Sequence, residues 1–112
     1  MLPQSNRLKK KRDFDRVFKK GQGFKEDFIT FKIAKNNFKS SRFGFVVSKS
    51  FSKKASIRNK IKRRLRELVR VRLPEIKKGI DGIFVVAPGL KKKNFLEIKE
   101  LVEKLFRKSK II

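Results

Sequence analysis

Apolar residues fall into two alternating periods along this chain. Phe14, Val17 and Phe18 recur at i, i+3 and i+4, with Arg12, Arg16, Lys19 and Lys20 around them. That spacing predicts a short amphipathic helix over Asp13 to Lys20, with Gly21 as its stop. Gly21 to Gly23 reads as a turn. From Phe24 to Ala34 the period shortens to two, with Ile29, Phe31 and Ile33 on one side and Phe28, Thr30 and Lys32 on the other. A strand with apolar groups on both sides is expected, one side for a core and one for a second contact. Lys35 to Ser41 is polar and contains Asn36-Asn37. It leads to a second strand, Arg42 to Ser48, in which Phe43, Phe45 and Val47 alternate with Gly44 and Val46. The two strands are expected to pair as an antiparallel hairpin.

The longest helical pattern follows a basic loop, Ser48 to Lys54. Ile57, Ile61, Leu65, Leu68 and Val69 fall within an arc of roughly 120° when wound at helical pitch. A core-facing helix is therefore predicted at about Lys54 to Arg72, ending before Pro74 because the residue preceding proline disfavours helical backbone. Lys77 to Gly82 reads as a turn region. Ile83 to Ala87 is a continuous apolar run between Gly82 and Pro88-Gly89, as expected of a strand buried on both faces. Strand, helix and strand in succession imply a crossover connection. Asn94-x-x-Glu97 is a capping-box signature, and Ile98, Leu101, Val102, Leu105 and Phe106 supply the stripe of a last helix. Its Glu97, Glu100 and Glu103 make it the least basic helix, with a structural role. The order α, β, β, α, β, α gives an α+β fold: a single-domain α/β sandwich over residues 1–112, with helices packed on a small mixed sheet.

Charge changes this picture from a fold to a surface. Between Lys49 and Arg72 stand eleven Lys/Arg and one Glu, and the whole chain carries +24 from 34 basic and 10 acidic residues. Such density implies a polyanionic partner, which places the chain among nucleic-acid-binding proteins. On the central helix Arg58, Lys62, Arg66 and Arg70 form an i, i+4 row along one border of the apolar stripe, with Asn59 and Arg63 beside it and Lys60 and Arg64 flanking the other side. Arg58, Lys62, Arg63 and Arg66 are candidate phosphate contacts, and Asn59 a hydrogen-bonding group that orients the helix. With twelve Phe and 38% hydrophobic residues, the chain still has material for a packed core. Cysteine is absent, so disulfides and thiolate zinc sites are excluded and the cytoplasm is the expected compartment. Neither a signal-peptide core nor a membrane-length apolar run occurs.

The residues for autonomous hydrolysis are missing. The chain has no His and no Tyr, and its acids are scattered: Asp13 and Asp15 diverge on a helix, Glu26-Asp27 begin a strand, and Glu97, Glu100 and Glu103 alternate with lysines. Neither a catalytic residue nor a metal ligand can be assigned from them, since a nuclease needs a base, an acid or clustered carboxylates. Two rival functions remain beside an RNA-binding subunit. One is a small basic RNA-cleaving toxin that stabilises the scissile phosphate with Lys and Arg. The other is a structural ribosomal-type or DNA-compacting protein, for which the Arg58-Asn59 block is more specific than phosphate coating requires.

Arg58-Asn59-Lys60-Ile61-Lys62-Arg63, followed by Leu65-Arg66-Glu67, resembles the signature helix of the bacterial ribonuclease P protein subunit. Arg7-Leu8 with Asp13-Phe14-x-x-Val17-Phe18-x-x-Gly21 is similar to the family's N-terminal helix, and Arg42 to Lys49 resembles the strand before its signature helix. The resemblance spans nearly the whole chain. It implies a ribonucleoprotein endoribonuclease that removes the 5′ leader from precursor tRNA, with catalysis and most Mg²⁺ binding in the RNA. One monomeric protein would join one ribonuclease P RNA, through Arg58, Asn59, Lys60, Lys62, Arg63 and Arg66. The matching aromatic positions, Phe14, Phe18 and Phe31, together with Lys49, would line a cleft for the single-stranded leader. The implied fold is like the second domain of ribosomal protein S5, with a left-handed βαβ crossover, opposite to the general rule. Lys60 departs from the family's second motif Arg, and the Lys49 to Lys54 loop is one residue longer and lacks the customary Gly.

Overall fold

The computed structural model describes residues 2–112. Three helices, α1 (Lys11–Lys20), α2 (Ala55–Arg72) and α3 (Phe95–Lys108), pack on a four-stranded sheet of β1 (Gln22–Glu26), β2 (Ile29–Lys35), β3 (Arg42–Val47) and β4 (Ile80–Val86). The strand order is β1-β2-β4-β3. β1 and β2 pair antiparallel, as do β2 and β4, whereas β3 and β4 are parallel and joined through α2.

Two sequence expectations are corrected here. The run Phe24 to Ala34 is not one strand: it breaks at Asp27-Phe28, and Gln22-Gly23, read as a turn, belongs to β1. Asp27 takes a left-handed φ of 45°, a conformation Asp tolerates through its short polar side chain, so this turn carries no glycine signal. Nor do β2 and β3 form a hairpin, since β4 lies between them and pairs with both. β4 is the strand whose Ile83, Phe84 and Val86 are all buried, and a strand apolar on both faces takes the centre of the sheet.

Alternation sorts the side chains onto two faces. On one, Phe31 stacks on Phe84 with ring centroids 4.3 Å apart, Phe45 lies 5.6 Å from Phe84, and Phe106 of α3 meets Phe31 and Phe84 edge-on at 6.1 Å. Ile61, Leu65, Leu68 and Val69 of α2, with Ile98, Leu101, Val102 and Leu105 of α3, complete this core. Each such buried side chain contributes about 1.5–3 kcal/mol, and the aromatic pairs add roughly 0.5–1.5 kcal/mol. Ile57 was expected on the same stripe but is 40% exposed, because it sits in the first turn of α2. The opposite face holds a smaller cluster of Leu8, Val17 and Ile83, with Phe14, Ala34, Val46 and Val85 packed against it under α1.

The helix ends follow their local chemistry. At α3 the Asn94 side chain accepts from the Glu97 N–H at 2.9 Å and the Asn94 N–H donates to the Glu97 carboxylate at 3.0 Å, the expected reciprocal cap. α2 does end at Arg72, but not because Leu73 leaves the helical region: its φ and ψ are −50° and −43°. The chain instead tightens into a 3₁₀ turn over Leu73–Glu75 and becomes extended at Ile76.

An ionic cluster ties α1 to one end of the sheet. Asp81 is fully buried and accepts from Arg42 at 2.9 and 2.6 Å, from the Asn36 amide at 2.8 Å and from the Arg16 guanidinium. Arg16 also donates to the Lys35 carbonyl at 2.8 Å, and Asp13 stands 3.5 Å from Arg42. The hydrogen bond to Asp81 is the chief cause that holds the Arg42 guanidinium more firmly protonated than usual.

Candidate nucleic-acid interface

The charged face of α2 is set by its winding. Burial of Ile61, Leu65, Leu68 and Val69 turns Asn59, Lys60 and Arg63 outward, where all three are exposed. The row of Arg58, Lys62 and Arg66 rises along the flank of the helix and is half-buried. Arg58 lies closest to the core side, and its guanidinium donates to the Ser52 carbonyl at 2.7 Å, fastening the basic loop to the helix start. Arg66 lies 5.9 Å from the Phe45 ring centroid. Desolvation there, with the Arg7 guanidinium nearby, lowers its proton affinity. Arg70, the last member of the row, spends its charge locally, with Nε donating to both Glu67 carboxylate oxygens at 3.0 Å. That pairing pulls Glu67 below the usual carboxylate range, and the Arg70 guanidinium offsets the negative charge of the single acid of α2. Lys60, Arg63, Arg64 and Arg66, with Glu67 and Phe95, line a groove along this surface.

A second candidate surface lies under α1. Phe14 packs over Gly44 so closely that a Cβ there would come within 2.5 Å of its ring, so only glycine admits this approach. Phe18 is 38% exposed, its carbonyl accepts from Lys32 at 3.1 Å, and the Lys32 ammonium lies 5.8 Å from its ring. α1 covers the Arg42–Asp81 end of the sheet and leaves Thr30, Val46 and Val85 half-buried at the other end. Phe14, Phe18 and Lys32 thus border the face on which Thr30, Val46 and Val85 are half-buried, where the cleft expected from the sequence would lie. Lys49 is exposed in the turn just past β3, at the open end.

Phe31 is not part of that cleft, contrary to its sequence assignment. It has no exposed surface and faces α3, because strand alternation puts it with Ile29 and Phe84 on the opposite side of the sheet. Thr30 and Lys32, one residue either way, occupy the cleft side. Their parity was visible in the sequence, but not which side α1 would cover. Among the described residues no group of three or more His, Cys, Asp or Glu comes together to hold a metal ion, and no helix is long and apolar enough to cross a membrane.

Known proteins resemble this chain in sequence and fold. A family model described as Ribonuclease P matches residues 2–110. The ribonuclease P protein component of Pseudanabaena sp. is 34% identical over 113 residues, covering 100% of this chain and 97% of that protein. That of Microcystis aeruginosa is 36% identical over 115 residues, covering 99% of this chain and 96% of that protein. Among solved structures, the Staphylococcus aureus RNase P protein superposes with a TM-score of 0.88 at 31% identity, covering 95% of this chain and 96% of its own. The Thermotoga maritima RNase P protein gives 0.82 at 32% identity, covering 91% and 96%.

Proposed function

The chain belongs to the ribonuclease P protein family, and from that premise we propose that it docks on the ribonuclease P RNA through α2 and holds the 5′ leader of precursor tRNA in the cleft under α1. The observation that carries this reading is the separation of the two surfaces. α2 presents Asn59, Lys60 and Arg63 outward with Arg58, Lys62 and Arg66 on its flank, while Phe14, Phe18 and Lys32 border the half-buried Thr30, Val46 and Val85 on the other side of the sheet. One surface has the charge to neutralise a folded RNA backbone. The other has the aromatic edges and the cations Lys32 and Lys49, suited to an unpaired strand of varied sequence.

In this reading Mg²⁺ and the cleavage step belong to the RNA. Phe14, Phe18 and Lys49 hold the leader, and the protein raises substrate affinity and lowers the Mg²⁺ requirement by neutralising phosphates. The complex is one protein to one RNA, in the cytoplasm.

The test is to mix the full chain, a bacterial ribonuclease P RNA and a precursor tRNA at low and high Mg²⁺. Mature tRNA should form at low Mg²⁺ only when both macromolecules are present, with the protein's benefit shrinking as Mg²⁺ rises. Cleavage by the protein alone would replace this reading with that of an autonomous nuclease. Equal stimulation at every Mg²⁺ level would show that the benefit is not electrostatic.

A further inference from the structure

A third aromatic feature lies outside both surfaces. Phe38, in the loop between β2 and β3, is 59% exposed, yet it is held in place. Its N–H donates to the Asn36 side chain at 2.8 Å, and the Asn36 amide donates in turn to the Ser40 carbonyl at 3.2 Å and to buried Asp81 at 2.8 Å. Against the ring, 4.5 Å from its centroid, lies the Arg42 guanidinium, itself fixed by two hydrogen bonds to Asp81. One contact of the ring is thus a rigid cation, and much of the rest faces solvent.

The surroundings are basic and continuous with α2. Arg7, Lys9, Lys10 and Arg12 line the same depression as Phe38, and its only acid, Asp13, is engaged with Arg42. Arg7 is braced by donating from Nε to the Leu2 carbonyl at 2.8 Å, and it is also the guanidinium near Arg66 of α2. Two neighbouring guanidiniums that repel each other are the arrangement a bridging phosphate relieves.

We propose that Phe38 is a stacking platform for one unpaired nucleotide of the ribonuclease P RNA, with Arg7, Lys10 and Arg12 taking the flanking phosphates. This extends the α2 interface around the edge of β3 and rests on the docking role given to α2 above. The catalytic RNA is the occupant, rather than the tRNA leader, because Phe38 precedes β3, at the end of the sheet that α1 closes, whereas the leader cleft opens at the far end, by Val46. A base fits the ring because every base offers a π-face, and an exposed ring braced on an immobile cation loses little freedom on stacking.

The chain contains no Trp, so Phe38→Trp gives a unique fluorophore at the platform. Its emission should be quenched on titration with ribonuclease P RNA, at near-native affinity. Phe38→Ala should weaken RNA binding roughly five- to a hundredfold, the range of one lost base stack, with an unchanged salt slope and a melting temperature close to native. Native-like affinity of Phe38→Ala, or unaltered Phe38→Trp emission at saturating RNA, would overturn the proposal. So would a loss of affinity that tracks a fall in melting temperature and is not restored by Phe38→Trp, since the ring would then be only a loop clamp. A defect confined to the holoenzyme's preference for precursor over mature tRNA would make the leader the occupant. Arg63→Ala serves as the control: if it weakens binding while Phe38→Ala does not, only the platform fails, and if neither matters, the α2 reading fails with it.

Discussion

Asp81 is the only buried charged residue among those described, and three cationic or amide groups converge on it. Removing one partner of a buried, hydrogen-bonded ion pair costs about 3–5 kcal/mol, because the remaining charge stays desolvated. Asp81→Ala is expected to lose about that much in urea unfolding, since the Arg42 side chain is only 17% exposed. Loss of under 1 kcal/mol would show that water replaces the carboxylate freely. The phenylalanines divide in the same way. Phe31→Ala should cost about 3–5 kcal/mol as a core cavity. Phe18→Ala should leave the melting temperature nearly unchanged and abolish the preference for precursor over mature tRNA, measured as relative affinity of the holoenzyme. Asp81 was illegible in the sequence because Asp81-Gly82 has the composition of a turn. Its partners Arg16 and Arg42 lie 65 and 39 residues away, and no local pattern announces them.

Among the elements, the helices were the most legible. α2 carries its own evidence in an apolar stripe and a run of charge, and α3 in an apolar stripe and a cap, and these signals act within a few turns. The strands were recognised as extended segments but wrongly paired. Pairing is decided by partners distant in sequence, and the tight turn at Asp27-Phe28 lacks the glycine that marks most hairpins. The docking face of α2 was legible for the same reason as the helix, yet its members are not equivalent. Arg63 is exposed and makes no hydrogen bond or ion pair among the described residues, so Arg63→Ala should lower the log–log salt slope of RNA affinity by about 0.7–0.9 and leave stability alone. Arg58→Ala should lower the slope similarly and also reduce the melting temperature, because the Ser52 carbonyl loses its donor. Binding isotherms at several salt concentrations, with thermal melts of each variant, check both. An unchanged slope would remove the residue from the interface.

At the scale of the molecule, a charge of +24 on 112 residues means that the folded chain repels itself, and compaction draws the like charges closer. The melting temperature is expected to rise with added salt, and more steeply with sulfate or phosphate than with chloride. A flat or falling curve in a melting series would contradict the self-repulsion account. The overall charge and the family resemblance were plain in the sequence. The cleft's true lining was not, since it depends on which face of the sheet α1 covers. The central position of β4 also gives the molecule a history in time. During synthesis β1, β2, β3 and α2 all leave the ribosome before β4, and at ordinary elongation rates the wait is on the order of seconds. Through that interval β2 and β3 lack the strand that joins them, and α2 lacks the packed sheet from which an amphipathic helix draws most of its stability. The nascent chain therefore offers its cations before it has a shape, and the β4 segment converts a loose polycation into an oriented surface.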